Sequence, residues 1–265
     1  MTKGYSYAMT PRTIAATRYV TPLREGGSMP AVIEADDEGL YVLKFRGAGQ
    51  GARALVAEWV AGAIAQALGL PVPEIVFVDL DPALARTEPD PEIQHLIRAS
   101  AGLNLALDYL PGAVAFDPVA EHPDAMLASQ VVWFDAYVSN VDRTARNTNL
   151  LIWHRQLKLI DHGAALYFHH GWDGSAADAG KPFALIKDHV LLPWADRIAE
   201  ADAQLAAKLP PETIAGIVAQ LPDAWLQGED AFADPATQRA AYVEYLVKRL
   251  AQRERFVEEA IRARA

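Results

Sequence analysis

The sequence predicts an α+β protein built in two parts, a small sheet-rich part followed by a larger, mostly helical one. Three observations point there. β-prone runs bounded by turn residues crowd the first third of the chain. Helical periodicity dominates the second half. The change of character falls near Pro111, where a short strand runs into a Tyr-Leu-Pro-Gly turn. Residues 1–111 and 112–265 are therefore the expected parts, forming together one domain, since the 265 residues carry no repeat and no long low-complexity linker.

Residues 20–45 read as two strands, MPAVIEA and LYVLKF, joined by a DDEG turn. RGAGQGAR follows, with glycines at alternate positions. RALVAEWVAGAIAQALG then repeats apolar residues every three or four positions (Val56, Trp59, Val60, Ala63, Ile64, Ala67), as an amphipathic helix does. Gly69 is its expected C-cap, and Pro71 and Pro73 end it. EIVFVDL is a further strand. DPALARTEPDPEIQ, rich in Pro and acid, reads as a surface insertion, and LNLALDYLPG as a short strand leading into a turn. AMLASQVVWFDAYVSN is helical, with Met126, Leu127, Gln130, Val131, Phe134 and Val138 toward one face. LLIW and LKLID are strands about an HRQ turn, residues 171–182 are a Gly/Asp-rich loop, and the remainder is helical. The last helix begins with Asp234 as N-cap and Pro235 at its first position, and ends in Arg-rich sequence that suits its dipole.

Composition narrows the function classes. There are no cysteines, so disulfides, thiolate nucleophiles and Cys-based zinc sites are excluded. The formal net charge of −10 opposes general electrostatic binding to nucleic acid or to an anionic membrane. The N-terminus lacks a long apolar core, and the longest apolar stretch, AEWVAGAIAQALGLPV, carries Glu58 and Gln66, too short and polar to span a bilayer. A cytoplasmic protein is expected.

The chemistry-bearing residues come in a particular order. Phosphoryl transfer needs a cation on the nucleotide phosphates, oxygen ligands for magnesium, and a carboxylate near the acceptor hydroxyl. Lys44 sits inside the apolar strand LYVLKF; buried, it would need a charge partner, which Glu58 in the next helix could supply, although a solvated strand lysine is the commoner case. Asp142 is followed five residues on by Asn147 in a polar loop, an arrangement that a simple Asx turn could also explain. Asp161 closes the apolar LKLI and precedes His162-Gly163, where the glycine would permit a sharp turn; a helix N-cap is the other reading. Lys in a strand, Glu in the following helix, D-x4-N in a loop and Asp-x-Gly after a strand is the layout of a bilobal protein-kinase-like fold, with a small antiparallel-sheet N-terminal lobe and a helical C-terminal lobe.

The stretches IEADDEGLYVLKFRGAGQGARALVAEWVAGAIAQALGLPVPE, LDYLPG, NVDRTARNTNLL and LKLIDHG resemble the HipA-like kinases in their compact, stand-alone form, over most of residues 31–163. The D-R start of the loop is also similar to that of phosphoinositide kinases. The resemblance implies ATP and Mg2+ as cofactors and a hydroxyl acceptor, protein or small molecule, as the second substrate. It implies Lys44 on the α- and β-phosphates with Glu58 as its partner, and Asp142 as the catalytic carboxylate. Asn147 and Asp161 would hold magnesium. Gly26, Gly27 and Ser28 would lie in the phosphate-covering loop, and backbone groups of Asp108, Tyr109 and Leu110 would face adenine. Arg143 would stabilise transition-state charge or brace the loop.

Three departures from the family pattern stand out. Asn149 competes with Asn147 as metal ligand, His162 replaces the phenylalanine of a regulated kinase and is expected to be too polar for an apolar plug, and no counterpart of the extra N-terminal subdomain of the longer toxin proteins is expected within these residues. Competing functions are a nucleotide-binding pseudokinase, an AMP transferase with the nucleotide flipped, and a metal hydrolase using His154, His162, His169 and His170. RGAGQGAR could expose backbone N–H groups to phosphate or simply connect strand to helix; it lacks the G-K-S/T of a Walker motif.

Overall fold

The computed structural model describes residues 10–23, 29–49, 51–228 and 231–265. Five strands close into a barrel in the order β1-β2-β3-β5-β4. They are β1 (Thr13–Pro22), β2 (Ala31–Ala35), β3 (Leu40–Lys44), β4 (Ile75–Leu80) and β5 (Gly102–Asp108), and the helices α1 (Ala52–Leu68) and α2 (Pro91–Ala99) interrupt them. The sheet is not purely antiparallel as expected, because β1 closes it by running parallel to β4, Ile14 opposite Val78. The sequence reading had no strand before residue 20. Only Ile14 and Ala16 of β1 are buried, and with alanine as one of the two inward residues the alternation is weak.

Strand alternation sorts the barrel residues into two cores. Ile14, Ile33, Tyr41, Leu43, Val76, Val78 and Ala106 fill the interior. The expected surface insertion is a lid on that interior: Asp90 caps α2, accepting from Glu92 N with Pro91 at the first position, and Ile93, Leu96 and Ile97 are buried into the barrel. Ile75, Phe77, Leu105 and Leu107 point the other way, toward α1.

Helix α1 is not amphipathic in its setting. Leu55 through Ala65 are all buried, because the barrel covers one side and the helical part the other. Each buried Leu, Val or Ile there contributes about 1.5–3 kcal/mol. Trp59 packs edge-on against Phe77 at 5.1 Å and donates from Nε1 to Ile217 O at 3.0 Å. Trp225 meets Phe77 from its other side and donates to Leu103 O, which makes it a core residue. Gly69 ends α1 in the left-handed conformation (φ 81°), as expected, its N–H bonding to Ala65 and Gln66 carbonyls.

Beyond Pro111 come β6 (Val114–Ala115), α3 (Ala125–Val138), the hairpin β7 (Leu150–Trp153) and β8 (Gln156–Leu159), then α4 (Ile198–Leu205), α5 (Pro211–Ala219), α6 (Pro235–Ala251) and α7 (Glu254–Arg264). Between β8 and α4 the chain makes only short 3-10 turns, such as Ala184–Asp188. Asp234 caps α6, accepting from Thr237 N with Pro235 next, as anticipated. The helix then breaks at Gln252, so that Phe256 can reach Trp133 and Tyr137 of α3. Like α1, α3 is buried on almost every side. Among the described residues no helix is long and apolar enough to cross a membrane.

Candidate active site

Lys44 leaves the barrel on the face opposite Leu43, as alternation requires, but that face is covered. Its side chain is 11 % exposed, and Nζ lies 2.5 Å from Asp161 Oδ1 and 3.7 Å from Glu58 Oε2. Residues 117 positions apart are thus in contact. Burial alone would lower the Lys44 pKa; the Glu58 and Asp161 carboxylates outweigh it and raise the value. Glu58, 1 % exposed on α1, has no hydrogen-bond partner for either carboxylate oxygen among the described residues. Burial opposes its ionisation, yet the Lys44 charge, helped by His162, holds its pKa down at about 2.

His162 is completely buried, edge-on to Phe134, with Nδ1 3.4 Å from Glu58 Oε1. So polar a residue was not expected at an apolar plug position; it lies in the core beside the Glu58 carboxylate, with no hydrogen-bond partner for either ring nitrogen among the described residues. The turn at this motif is also made differently. Asp161 itself is left-handed (φ 53°), whereas Gly163 is absent from the positive-φ residues.

A hairpin couples this group to the second one. His154 and Arg155, both with positive φ, form the two-residue turn, and the register Leu150↔Leu159 follows. Asn149 O accepts from Ile160 N at 3.1 Å, so Asn149 stands beside the residue that precedes Asp161. Asn147 Nδ2 donates to Asp142 Oδ2 at 2.7 Å, and Asn149 Nδ2 donates to the same oxygen at 3.3 Å. An amide nitrogen must face a carboxylate, so both asparagine Oδ1 atoms face elsewhere. Asn147 is exposed and Asn149 buried. With the Asp161 carboxylate these are hard oxygen donors, the set that suits magnesium.

Arg143 points into the core. Its side chain is fully buried, with Nε 2.6 Å from Asp135 Oδ2 and NH1 donating to Asn149 O and, at 3.3 Å, to Ile160 O. Packed against Asp135 of α3, it ties that helix to the backbone of Asn149 and Ile160, as a loop brace would. Asp135, buried completely in α3, also accepts from Asn140 Nδ2 at 2.9 Å and His189 Nε2 at 2.8 Å. Burial would raise the Asp135 pKa; the Arg143 charge, with His189, takes it far below the carboxylate range. The sequence reading missed both residues. Asp135 was accessible by the reasoning applied to Lys44, a charge inside the apolar run VVWFDAYV. His189 carries no local signal.

Of the proposed adenine-facing backbone, Asp108 N donates to Glu74 O and Tyr109 N to Leu40 O; Leu110 N finds no partner among the described residues. The Asp108 carboxyl is raised by burial and by nearby Glu74. In the RGAGQG loop, of which Gln50 lies outside the described residues, Gly47 N donates to Ser100 Oγ, Ala48 N to Phe45 O and Gly51 N to Ala48 O, while Arg46 is tied to Asn104 and Ala101. Gly26, Gly27 and Ser28 lie outside the described residues. The four histidines do not form one cluster, though His169 and His170 adjoin with ring centroids 4.6 Å apart. His162 sits under Glu58, His169 Nδ1 meets Tyr242 Oη at 3.1 Å, His154 is in the hairpin turn, and no group of three or more His, Asp or Glu among the described residues is placed to hold a metal.

One known structure shares this architecture at low identity. The Helicobacter pylori proinflammatory kinase CtkA superposes with a TM-score of 0.55 at 13% identity, over 95% of this chain and 98% of that one. Two structures of the Golgi casein kinase are more distant. One with Mn/ADP bound has a TM-score of 0.45 at 12% identity, over 92% of this chain and 72% of that one. The other has 0.47 at 10%, over 94% and 72%. No curated protein sequence matches the chain. A family model described as HipA-like kinase matches residues 17–260, from β1 to the last helix. The chain belongs to the HipA-like kinase family.

Proposed function

We propose that the protein is an ATP- and magnesium-dependent kinase of bilobal, protein-kinase-like build, transferring the γ-phosphate to a hydroxyl acceptor, with the serine or threonine of a protein as one candidate. The observation that carries this is the Lys44–Asp161 contact with Glu58 behind it, joined through the β7–β8 hairpin to the Asp142 loop.

Lys44, held against Glu58, would donate to the α- and β-phosphate oxygens, and the Leu110 N–H, without a partner among the described residues, would face adenine. Asp161 and the exposed Asn147 would hold magnesium, Asn149 being buried and committed to fixing Asp142. Bound there, the cation would neutralise charge on the β- and γ-phosphates. Asp142 Oδ2 is occupied by the two asparagines, which leaves Oδ1 to receive the proton of the acceptor hydroxyl. As that hydroxyl oxygen bonds to the γ-phosphorus, the bond to the bridging oxygen of the departing ADP breaks. Arg143 has no part in the charge stabilisation.

Incubation with ATP labelled at the α- or γ-phosphate tests the proposal. Transfer of γ-label by the wild type and its loss in Asp142→Ala are expected. Transfer of α-label would establish an AMP transferase, and nucleotide binding without transfer a pseudokinase. Asn147→Ala should raise the magnesium requirement more than Asn149→Ala; the reverse order would exchange their roles.

A further inference from the structure

The buried network around Asp135 ends in a residue that neither the fold nor the chemistry yet requires, His189. It lies 28 positions after Asp161, where the irregular stretch following the metal motif returns to the core. His189 Nδ1 accepts from Leu191 N at 3.0 Å, so it carries no proton. The imidazole proton is therefore on Nε2, which donates to Asp135 Oδ2 at 2.8 Å. The same carboxylate binds Arg143 and Asn140, and Asn140 Oδ1 in turn accepts from Asp142 N at 3.1 Å. The backbone repeats the link: Val190 N donates to Arg143 O at 3.0 Å, and Thr144 bridges to His189. One buried carboxylate thus gathers the start of the Asp142 loop, its end through Arg143 and Asn149 O, and the far anchor of residues 163–188.

We infer that His189 and Asp135 are positioning residues for Asp142. Through Asp135, His189 sets the loop that carries the catalytic carboxylate and fixes it relative to the 163–188 stretch. The inference rests on the kinase reading for its catalytic consequence, but not for its structural content. Neither residue touches nucleotide or acceptor. The effect falls on the placement of Asp142, and hence on kcat, and not on nucleotide affinity, which Lys44 and Glu58 govern. Phenylalanine keeps the ring shape and removes the donor; glutamine restores an N–H that can reach Asp135.

The test compares wild type, His189→Phe and His189→Gln. Turnover is read as release of the ATP γ-phosphate, to water or onto the chain itself, alongside amide exchange and 15N imidazole spectra. His189→Phe should lower kcat at least tenfold, leave KM for ATP within about twofold, and speed exchange at residues 140–149 but not in α1. His189→Gln should recover most of the loss. In the wild type, His189 should be the neutral Nε2–H tautomer at pH 7. A charged or Nδ1–H imidazole overturns the inference, even if the Phe variant does not fold. Unchanged loop exchange in His189→Phe, or a uniform rise over the whole chain, overturns it as well. Absence of turnover in the wild type would sink the kinase reading alone, since exchange and tautomer still decide the positioning role.

Discussion

Replacing Arg143 by methionine tests whether this arginine braces the loop. The substitution keeps most of the apolar stem and removes the guanidinium from Asp135, which has no access to water. Removing one partner of a buried pair costs about 3–5 kcal/mol, because the other charge is left uncompensated. Asp135 retains Asn140 and His189 as neutral donors, and His189 cannot take up a second proton without losing the bond that its Nδ1 accepts from Leu191 N. In the wild type, burial first and then the Arg143 charge keep the His189 pKa low against the pull of Asp135. Burial, the largest of these causes, stays when Arg143 is removed, so the charge of Asp135 is left without a cation. Arg143→Met should therefore lose about 3–5 kcal/mol at pH 7. Urea unfolding at that pH, with unchanged m, reads it directly. A penalty below about 1 kcal/mol refutes the reasoning, since Asp135 would then not depend on a buried cation.

Three further outcomes follow from the geometry. Asp161→Asn should abolish magnesium-dependent turnover yet change folding stability by less than about 1 kcal/mol, because its side chain is 38 % exposed; thermal unfolding and turnover together check this. His169, whose pKa burial, then His170 and Arg53, lower to about 3, should destabilise the fold in acid. Its contribution is complete above pH ~6.5 and falls by about 2 kcal/mol by pH 5, a slope that His169→Gln should remove in denaturant titrations. Asn104→Ala should cost about 1–3 kcal/mol, since the buried amide serves Arg46 N, Ser100 O and Gly102 O, and should speed amide exchange in residues 46–49.

How much of this was legible in the sequence depends on the range of the interaction. Strands β2 to β5, the Gly69 stop and the Asp234 cap rest on local chemistry, and they read correctly from single residues and their neighbours. The second, parallel closure by β1 does not, because two buried residues in ten leave almost no pattern. Helices α1 and α3 misled in a different way. Their periodicity suggested one apolar face, but a helix enclosed by barrel and helical part has no polar face to keep. At the site, the order of Lys44, Glu58, Asp142 and Asp161 was readable as a spacing of residue types. The left-handed turn at Asp161, the burial of His162 and the inward aim of Arg143 were not, since each depends on partners far along the chain: Glu58 for His162, and Asp135 with His189 for Arg143.

The most direct measurement is a crystal structure of the protein soaked with a non-hydrolysable ATP analogue and magnesium. Lys44 Nζ should leave Asp161 for the phosphate oxygens, with Asp161 and Asn147 on the cation and Asp142 Oδ1 open toward the γ-phosphate. A triphosphate bound away from Lys44, or one that leaves the Lys44–Asp161 contact closed, would contradict the account.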